Sequence, residues 1–203
     1  LKGILKIIGA VAVINIIARL VGFAREQYIG IQYGTTVYSD SIINAYTIPN
    51  FLYLVIGGAF TTAFISVYHK TTSSITEYIR RTFTTILITI TLVVILFMVL
   101  ADPILMQFFH VKDEAEYEML RSLYFWMMPS TIMLVLSTWM SGILNVQGRY
   151  HLSAFSVLIY NGAFLIVSVV LSIMMGPIGM GIGALGGAVC MFLFLVYGVR
   201  NVK

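Results

Sequence analysis

Charge is scarce in this sequence. Only 10% of the 203 residues are Asp, Glu, Lys or Arg, whereas an ordinary globular protein carries about 25%. Thr82 to Ala101, Ser122 to Gly148 and Tyr150 to Val199 contain none at all. A water-facing shell cannot be assembled from such runs, which excludes a soluble globular fold. With 60% hydrophobic residues and a mean hydropathy of +0.97, the chain reads as an integral membrane protein. The runs also lack the ~10-residue alternation of polarity that marks a transmembrane β-barrel. Apolar runs of about 18 residues or more are transmembrane helices by length. The expected fold class is therefore all-α, a polytopic six-helix bundle.

Groups that do chemistry are equally sparse. Cys190 is the only cysteine, which excludes an intrachain disulfide; flanked by Val189 and Met191, it reads as a small buried hydrophobe. His69, His110 and His151 fall at separate span ends without ligand spacing, so no metal site is expected. The three aspartates, Asp40, Asp102 and Asp113, are isolated, unlike the paired aspartates that would hold a magnesium diphosphate in a membrane prenyltransferase. No Ser or Cys is grouped with a supporting His and carboxylate as a nucleophilic hydrolase requires. Transport fits better than catalysis, and no enzyme is expected.

Six spans are expected near Ile4–Tyr28, Ser41–Val67, Thr82–Ala101, Ser122–Val146, Leu152–Met175 and Ile178–Val199. The start, with Lys2 and Lys6 ahead of an apolar stretch, imitates a signal peptide, but further spans follow and it reads as a retained helix. Prolines are few, and three of the four are placed tellingly. Pro49, followed by Gly57 and Gly58, interrupts the second span; Pro129 interrupts the fourth; Gly176-Pro177 separates the last two. Proline removes a backbone hydrogen bond and kinks a helix, and in a membrane it is tolerated where neighbours or a cavity satisfy the freed groups. The second span is thus a candidate cavity wall.

An even number of spans leaves both termini on one side. Lys2, Lys6, Lys70, Arg80, Arg81, Arg149, Arg200 and Lys203 fall on that side, against Lys112 and Arg121 opposite, so the positive-inside rule makes both termini cytoplasmic. The basic pI reflects this topology, and nucleic acid is not an expected partner. The acidic run Asp113 to Glu118 is expected to be a solvated external loop.

Against this background the first span is anomalous. Only Ile7 to Ala18 separate Lys6 from Arg19, which is roughly 18 Å of helix against a ~30 Å hydrocarbon core. If the helix spans, Arg19 lies within the membrane, with Arg25, Glu26 and Asp40 close behind. Charges at that depth usually mark a substrate or ion path. Asn15, Arg19, Gly22 and Glu26 form one stripe on a helical wheel, and Asp40, Asn44 and Thr47 a second. Snorkelling to the outer headgroups could account for Arg19 alone; two arginines and two carboxylates on adjacent helices read better as a polar cavity. Arginine pairs bidentately with phosphate or carboxylate. Arg25 sits about 120° from Arg19 on the wheel, so a clamp using both requires a wide cavity or a bend near Gly22.

Gly181, Gly183 and Gly186 reproduce the G-x-G-x-x-G spacing of dinucleotide-binding loops. They follow no strand and lie in an apolar span, where small residues permit close helix packing.

The stretch RLVGFAREQYIGIQYG (Arg19–Gly34), followed by Ser39-Asp40, IPNFL (Ile48–Leu52) and GAFTTAFISVY (Gly58–Tyr68), resembles the start of the MurJ, or MviN, family of lipid II flippases. SGILNVQGRY (Ser141–Tyr150) and Asn161 of LIYNG are similar to that family's fourth and fifth helices. The resemblance implies membership of the multidrug/oligosaccharidyl-lipid/polysaccharide exporter superfamily, whose fold sets two six-helix lobes around a cationic cavity. On this basis residues 1–203 form the N-terminal lobe, in the bacterial plasma membrane. Arg19 and Arg25 would engage the substrate diphosphate, with Glu26, Asp40 and Asn50 as further substrate-binding residues. Asn15, Gly22, Asn44, Pro49, Gly57 and Gly58 would shape the cavity. Tyr53 and Leu54 stand where many members carry basic residues, Gly57 where an acidic one is common, and Ser153 and Val157 where prolines are frequent.

The implied function is translocation of a polyprenyl-diphosphate-linked, lipid II-like cell-wall precursor by alternating access. The expected partners are the lipid-linked oligosaccharide, membrane lipids, and a C-terminal lobe or a second copy. No cofactor is expected beyond a coupling cation or the membrane potential. Two alternatives remain open on the residues: a cation-coupled drug exporter using Asp40 or Glu26 as its ion site, and a non-transporting scaffold associating through its glycine-rich last span.

Overall fold

The computed structural model describes residues 2–34, 36–68, 74–109, 111 and 113–200. His69, Lys70, His110, Lys112 and Lys203 of the sequence reading lie outside the described residues, as do the side chains of Lys2 and Lys6. No strand occurs among the described residues. The helices are α1 (Lys2–Tyr33), α2 (Val37–Leu52), a π-helical turn (Tyr53–Gly57), α3 (Gly58–Tyr68), α4 (Ile75–Val99), α5 (Ala101–Phe108), α6 (Glu114–Met127), α7 (Ser130–Val146), α8 (Tyr150–Met175) and α9 (Ile178–Arg200). They compose six stretches long and apolar enough to cross a membrane, so the expected all-α, six-span architecture is observed.

α1 resolves the anomaly of the short first segment. It does not stop at Arg19 but continues without interruption to Tyr33, so Arg19, Arg25 and Glu26 are carried inside a 27-residue spanning stretch, Ile7–Tyr33. The helix also runs unbroken through Gly22. That glycine serves contact, not bending: a Cβ there would lie 3.4 Å from Asn161 Oδ1. Asn161 Nδ2 in turn donates to the Ala18 carbonyl at 3.3 Å. Ala18 and Gly22, one turn apart, thus form a small-residue seat that admits α8 against α1.

The second and fourth spans are composite, each broken near its proline. In the second, the backbone widens into a π turn just after Pro49. Thr61 Oγ1 donates to the Gly57 carbonyl at 2.7 Å and Thr62 Oγ1 to that of Gly58 at 2.9 Å, satisfying acceptors around the irregularity. In the fourth, α6 ends at Met127 and α7 restarts after Pro129. Ser130 Oγ donates to the Met127 carbonyl at 2.6 Å.

The α6–α7 pair is the centre of the bundle. Of the apolar window in Glu114–Val146, 72% is buried, against 6% for Ile7–Tyr33, so α1 is a peripheral helix. Tyr124, Met127, Val135, Trp139 and Ile143 form the core. The glycines of α9 meet α8 backbone: Cβ atoms at Gly179 and Gly187 would fall 2.5 Å from Ser172 N and 2.9 Å from the Tyr160 carbonyl oxygen. The dinucleotide-loop spacing is therefore a packing stripe.

Two expectations are corrected. Cys190 is exposed on the bundle surface, not buried, because the small residues that α9 turns inward are its glycines and alanines. Asp113 to Glu118 is not a loop. Asp113 caps α6, its carboxylate accepting from Glu116 N at 2.8 Å, and Glu114 and Glu116 occupy the first turn, where carboxylates complement the helix dipole. The sequence reading also lacked α5, which lies between the third and fourth spans and is tied to α6 by Asp102. That carboxylate receives hydrogen bonds from Tyr117 Oη and Arg121 Nε, both at 2.7 Å.

Candidate functional site

A cavity of about 660 Å³ opens between α1 and α2. From α1 it takes Arg25, Glu26, Ile29 and Gly30; from α2, Ser39, Ile42, Ile43, Tyr46, Thr47, Asn50 and Phe51. Leu54 of the π turn, Met127 of α6 and Phe164 of α8 complete the wall. The α2 contribution is one helical face, positions 39, 42–43, 46–47 and 50–51, continued by Leu54 after Pro49.

Arg25 is the cation of this cavity. Its side chain retains only 12% exposure, whereas that of its neighbour Glu26 retains 67%. The guanidinium carbon lies over two rings, 4.6 Å from the Phe164 centroid and 5.7 Å from that of Tyr46. Nη2 stands 3.6 Å from Glu26 Oε1, close enough for ionic attraction but too long for a hydrogen bond. Nη1 is buried with no hydrogen-bond partner among the described residues. A buried, charged donor left open is costly unless something occupies it. An anion at the cavity wall is the chemistry that would satisfy it.

The other sequence-derived residues divide sharply. Glu26 and Asn50 line the cavity beside Arg25. Arg19, Asn15 and Asp40 are exposed and outside its wall, and Asn44 is half-buried but also outside. Pro49 and Gly57 are buried in the second span; a Cβ on Gly57 would sit 3.4 Å from Thr138. Gly58 has open space at that position. The structure does not bring Arg19 and Arg25 together: they leave an unbroken helix on different faces. Of the two carboxylates offered as alternative ion sites for a cation-coupled exporter, Glu26 lines the cavity and Asp40 does not.

The sequence reading missed Tyr46, Phe51 and Phe164. Asp40, Asn44 and Thr47 had been grouped by polarity, but the cavity face of α2 is mixed and lies about one residue around the helix. Extending Thr47 and Asn50 by period to Tyr46 would have found that ring. Phe164 has no local signal, since it reaches the site from α8.

The family model described as lipid II flippase MurJ matches residues 30–203. The chain belongs to the MurJ family. The match begins beyond Arg19, Arg25 and Glu26. A probable lipid II flippase MurJ of Rickettsia prowazekii is 26% identical over 167 residues, covering 78% of this chain and 33% of the relative. That of Buchnera aphidicola is 27% identical over 175 residues, covering 81% and 34%. The solved structure of a lipid II flippase MurJ in an inward closed conformation superposes with a TM-score of 0.80 at 22% identity, over 95% of this chain and 42% of that one. The chain therefore spans about a third of the length of the curated relatives it matches. It is a multi-pass protein of the bacterial inner membrane.

Proposed function

We propose that this MurJ-family chain is the substrate-contacting N-terminal lobe of a flippase that moves a polyprenyl-diphosphate-linked, lipid II-like precursor across the inner membrane. Both termini face the cytoplasm, and the opposing wall of the path comes from a C-terminal lobe or a second copy. The observation that carries the reading is Arg25, a nearly buried guanidinium with an open donor in a cavity wall. A diphosphate offers the anionic oxygens that such a donor accepts. Its headgroup enters from the cytoplasm while the polyprenyl chain stays in lipid. Motion of one lobe against the other then exposes the headgroup outside, as in repeat-built transporters generally.

Arg25→Ala, in proteoliposomes holding this lobe paired with its partner lobe, tests the proposal. Transfer of a fluorescent lipid II is expected to fall by at least about tenfold, the effect of losing one charge-assisted contact of ~1.5–3 kcal/mol. Undiminished flipping rejects the assignment of Arg25. The 203-residue chain alone is expected not to flip lipid, because no second moving body is present.

A further inference from the structure

Arg25 has a carboxylate one residue away and does not close on it. Glu26 Oε1 and Arg25 Nη2 stand 3.6 Å apart, an ion pair without a hydrogen bond, and Nη1 has no hydrogen-bond partner among the described residues. Two rings face the guanidinium, and a third backs them. Phe164 and Tyr46 face it at 4.6 and 5.7 Å, and their own centroids are 6.2 Å apart. Tyr160 packs on Phe164 in a T-shaped arrangement at 5.9 Å. Its hydroxyl lies 3.1 Å from that of Tyr46, which pins the Tyr46 ring between α2 and α8. Tyr160 and Phe164 are themselves buried, so the rings have little freedom to follow a moving guanidinium.

We propose that Tyr46 and Phe164, backed by Tyr160, form an aromatic cage that holds the Arg25 guanidinium out of hydrogen-bond reach of Glu26 and so keeps its donors open to a diphosphate. Rings can do this because their π faces attract a cation without accepting its in-plane hydrogen bonds. A carboxylate in the same place would consume those donors and neutralise the charge. Cage and carboxylate thus compete for one guanidinium. The cage residues are positioning residues, acting on the ligand through Arg25. This inference rests on the reading of Arg25 as the anion contact.

The test uses the full chain in nanodiscs, with two probes: farnesyl diphosphate carried in the bilayer, and inorganic pyrophosphate in solution. Phe164 is replaced by its mono-, di- and trifluorinated analogues, which keep its shape while draining charge from the ring face. Binding of both probes is expected to weaken stepwise, to about tenfold at the trifluoro step, the scale of one desolvated cation–π contact. A flat series overturns the proposal. Phe164→Leu is expected to bind weakly because the guanidinium collapses onto Glu26, and Phe164→Leu with Glu26→Gln to regain most of the loss. A purely structural role for Phe164 gives no such rescue, so its absence in a double variant with wild-type melting overturns the cage. Tighter binding of farnesyl diphosphate than of pyrophosphate, with both following the series, identifies the lipid-borne headgroup. The reverse order identifies a free-diphosphate site and overturns the lipid-borne assignment, while leaving cage and charge intact. Arg25→Ala is the separate control. If it binds both probes as well as the wild type, the anion-contact reading falls. If it abolishes binding while the fluorinated series stays flat, that reading stands and the cage falls.

Discussion

Arg25 loses most of its hydration where it enters the cavity wall, and two aromatic faces replace part of it. A lysine would keep the charge but lose the planar fork that can stack on a ring and present an edge to a ligand. Arg25→Lys is therefore expected to bind a diphosphate probe about tenfold more weakly, by isothermal titration, despite its unchanged charge. Arg19, six positions earlier, is exposed and stands outside the cavity; in the isolated chain Arg19→Lys should leave probe binding unchanged. Outside the spans, Asp102 shows a different use of charge. Hydrogen bonds from Tyr117 and Arg121 hold its carboxyl below the usual value of 3.8. A depressed folded value means that the contact contributes fully above the ordinary carboxylate pKa and is lost as pH falls through the lower, folded value. The α5–α6 tie should accordingly persist through mildly acidic conditions, and a carbon-detected NMR titration of Asp102 should show a midpoint under 3.8.

Among the elements, α8 carries most of the cross-bundle information. It takes the Ala18–Gly22 seat of α1, the glycine stripe of α9 and the ring that faces Arg25. Its α1 contact includes a side-chain hydrogen bond from Asn161, beside the one between Tyr28 Oη and Ser172 Oγ, each of a kind worth about 0.6 kcal/mol and at most ~1.7 within a bilayer. Asn161→Leu should lower stability by that modest amount in a denaturation series. Gly183→Val should be far worse, because its new Cβ would run into the side chain and backbone of Ser168; loss of a monodisperse folded species is expected. α3, α4 and α7 are bound by rings instead. Phe64 stacks on Tyr78 at 5.3 Å and meets Trp139 edge-on at 5.5 Å, and it is buried. Phe64→Ala is expected to cost about 3–5 kcal/mol, read as a lowered unfolding midpoint with Arg25 untouched.

At the scale of the whole molecule, the bundle is built around one span: the α6–α7 window is 72% buried, against 6% for α1 and 17% for each of the second span and α4. The cavity opens on the α1–α2 side. The proposed orientation rests on charge alone and is directly testable. With Cys190 replaced by serine, a cysteine at position 114 should react with an impermeant maleimide added outside intact cells, and one at position 76 only after lysis. The opposite pattern inverts the proposed topology.

Much of this was legible in the sequence because membrane thermodynamics leaves few options. A chain this poor in charge must form apolar helices that satisfy their own backbone, so class and span count follow from composition and length, whereas the turns that extend α1 to Tyr33, start α4 at Ile75 and start α6 at Glu114 lay beyond the expected bounds. Prolines and glycines marked the breaks in the second and fourth spans. The motifs from Arg19 to Tyr68 pointed to the family. The residues sharing a cavity were less legible, because polarity identifies a helical stripe but not the direction it faces. Arg19, Asn15 and Asp40 looked equivalent to Arg25 and Glu26 until α8 was set against Ala18 and Gly22. The sequence by itself determined a six-span membrane bundle with ionisable residues inside its first span. Only the tertiary structure decided that Arg25, not Arg19, enters the cavity, because α8, which brings Phe164 over the guanidinium and packs on Ala18 and Gly22, lies more than a hundred residues further along the chain.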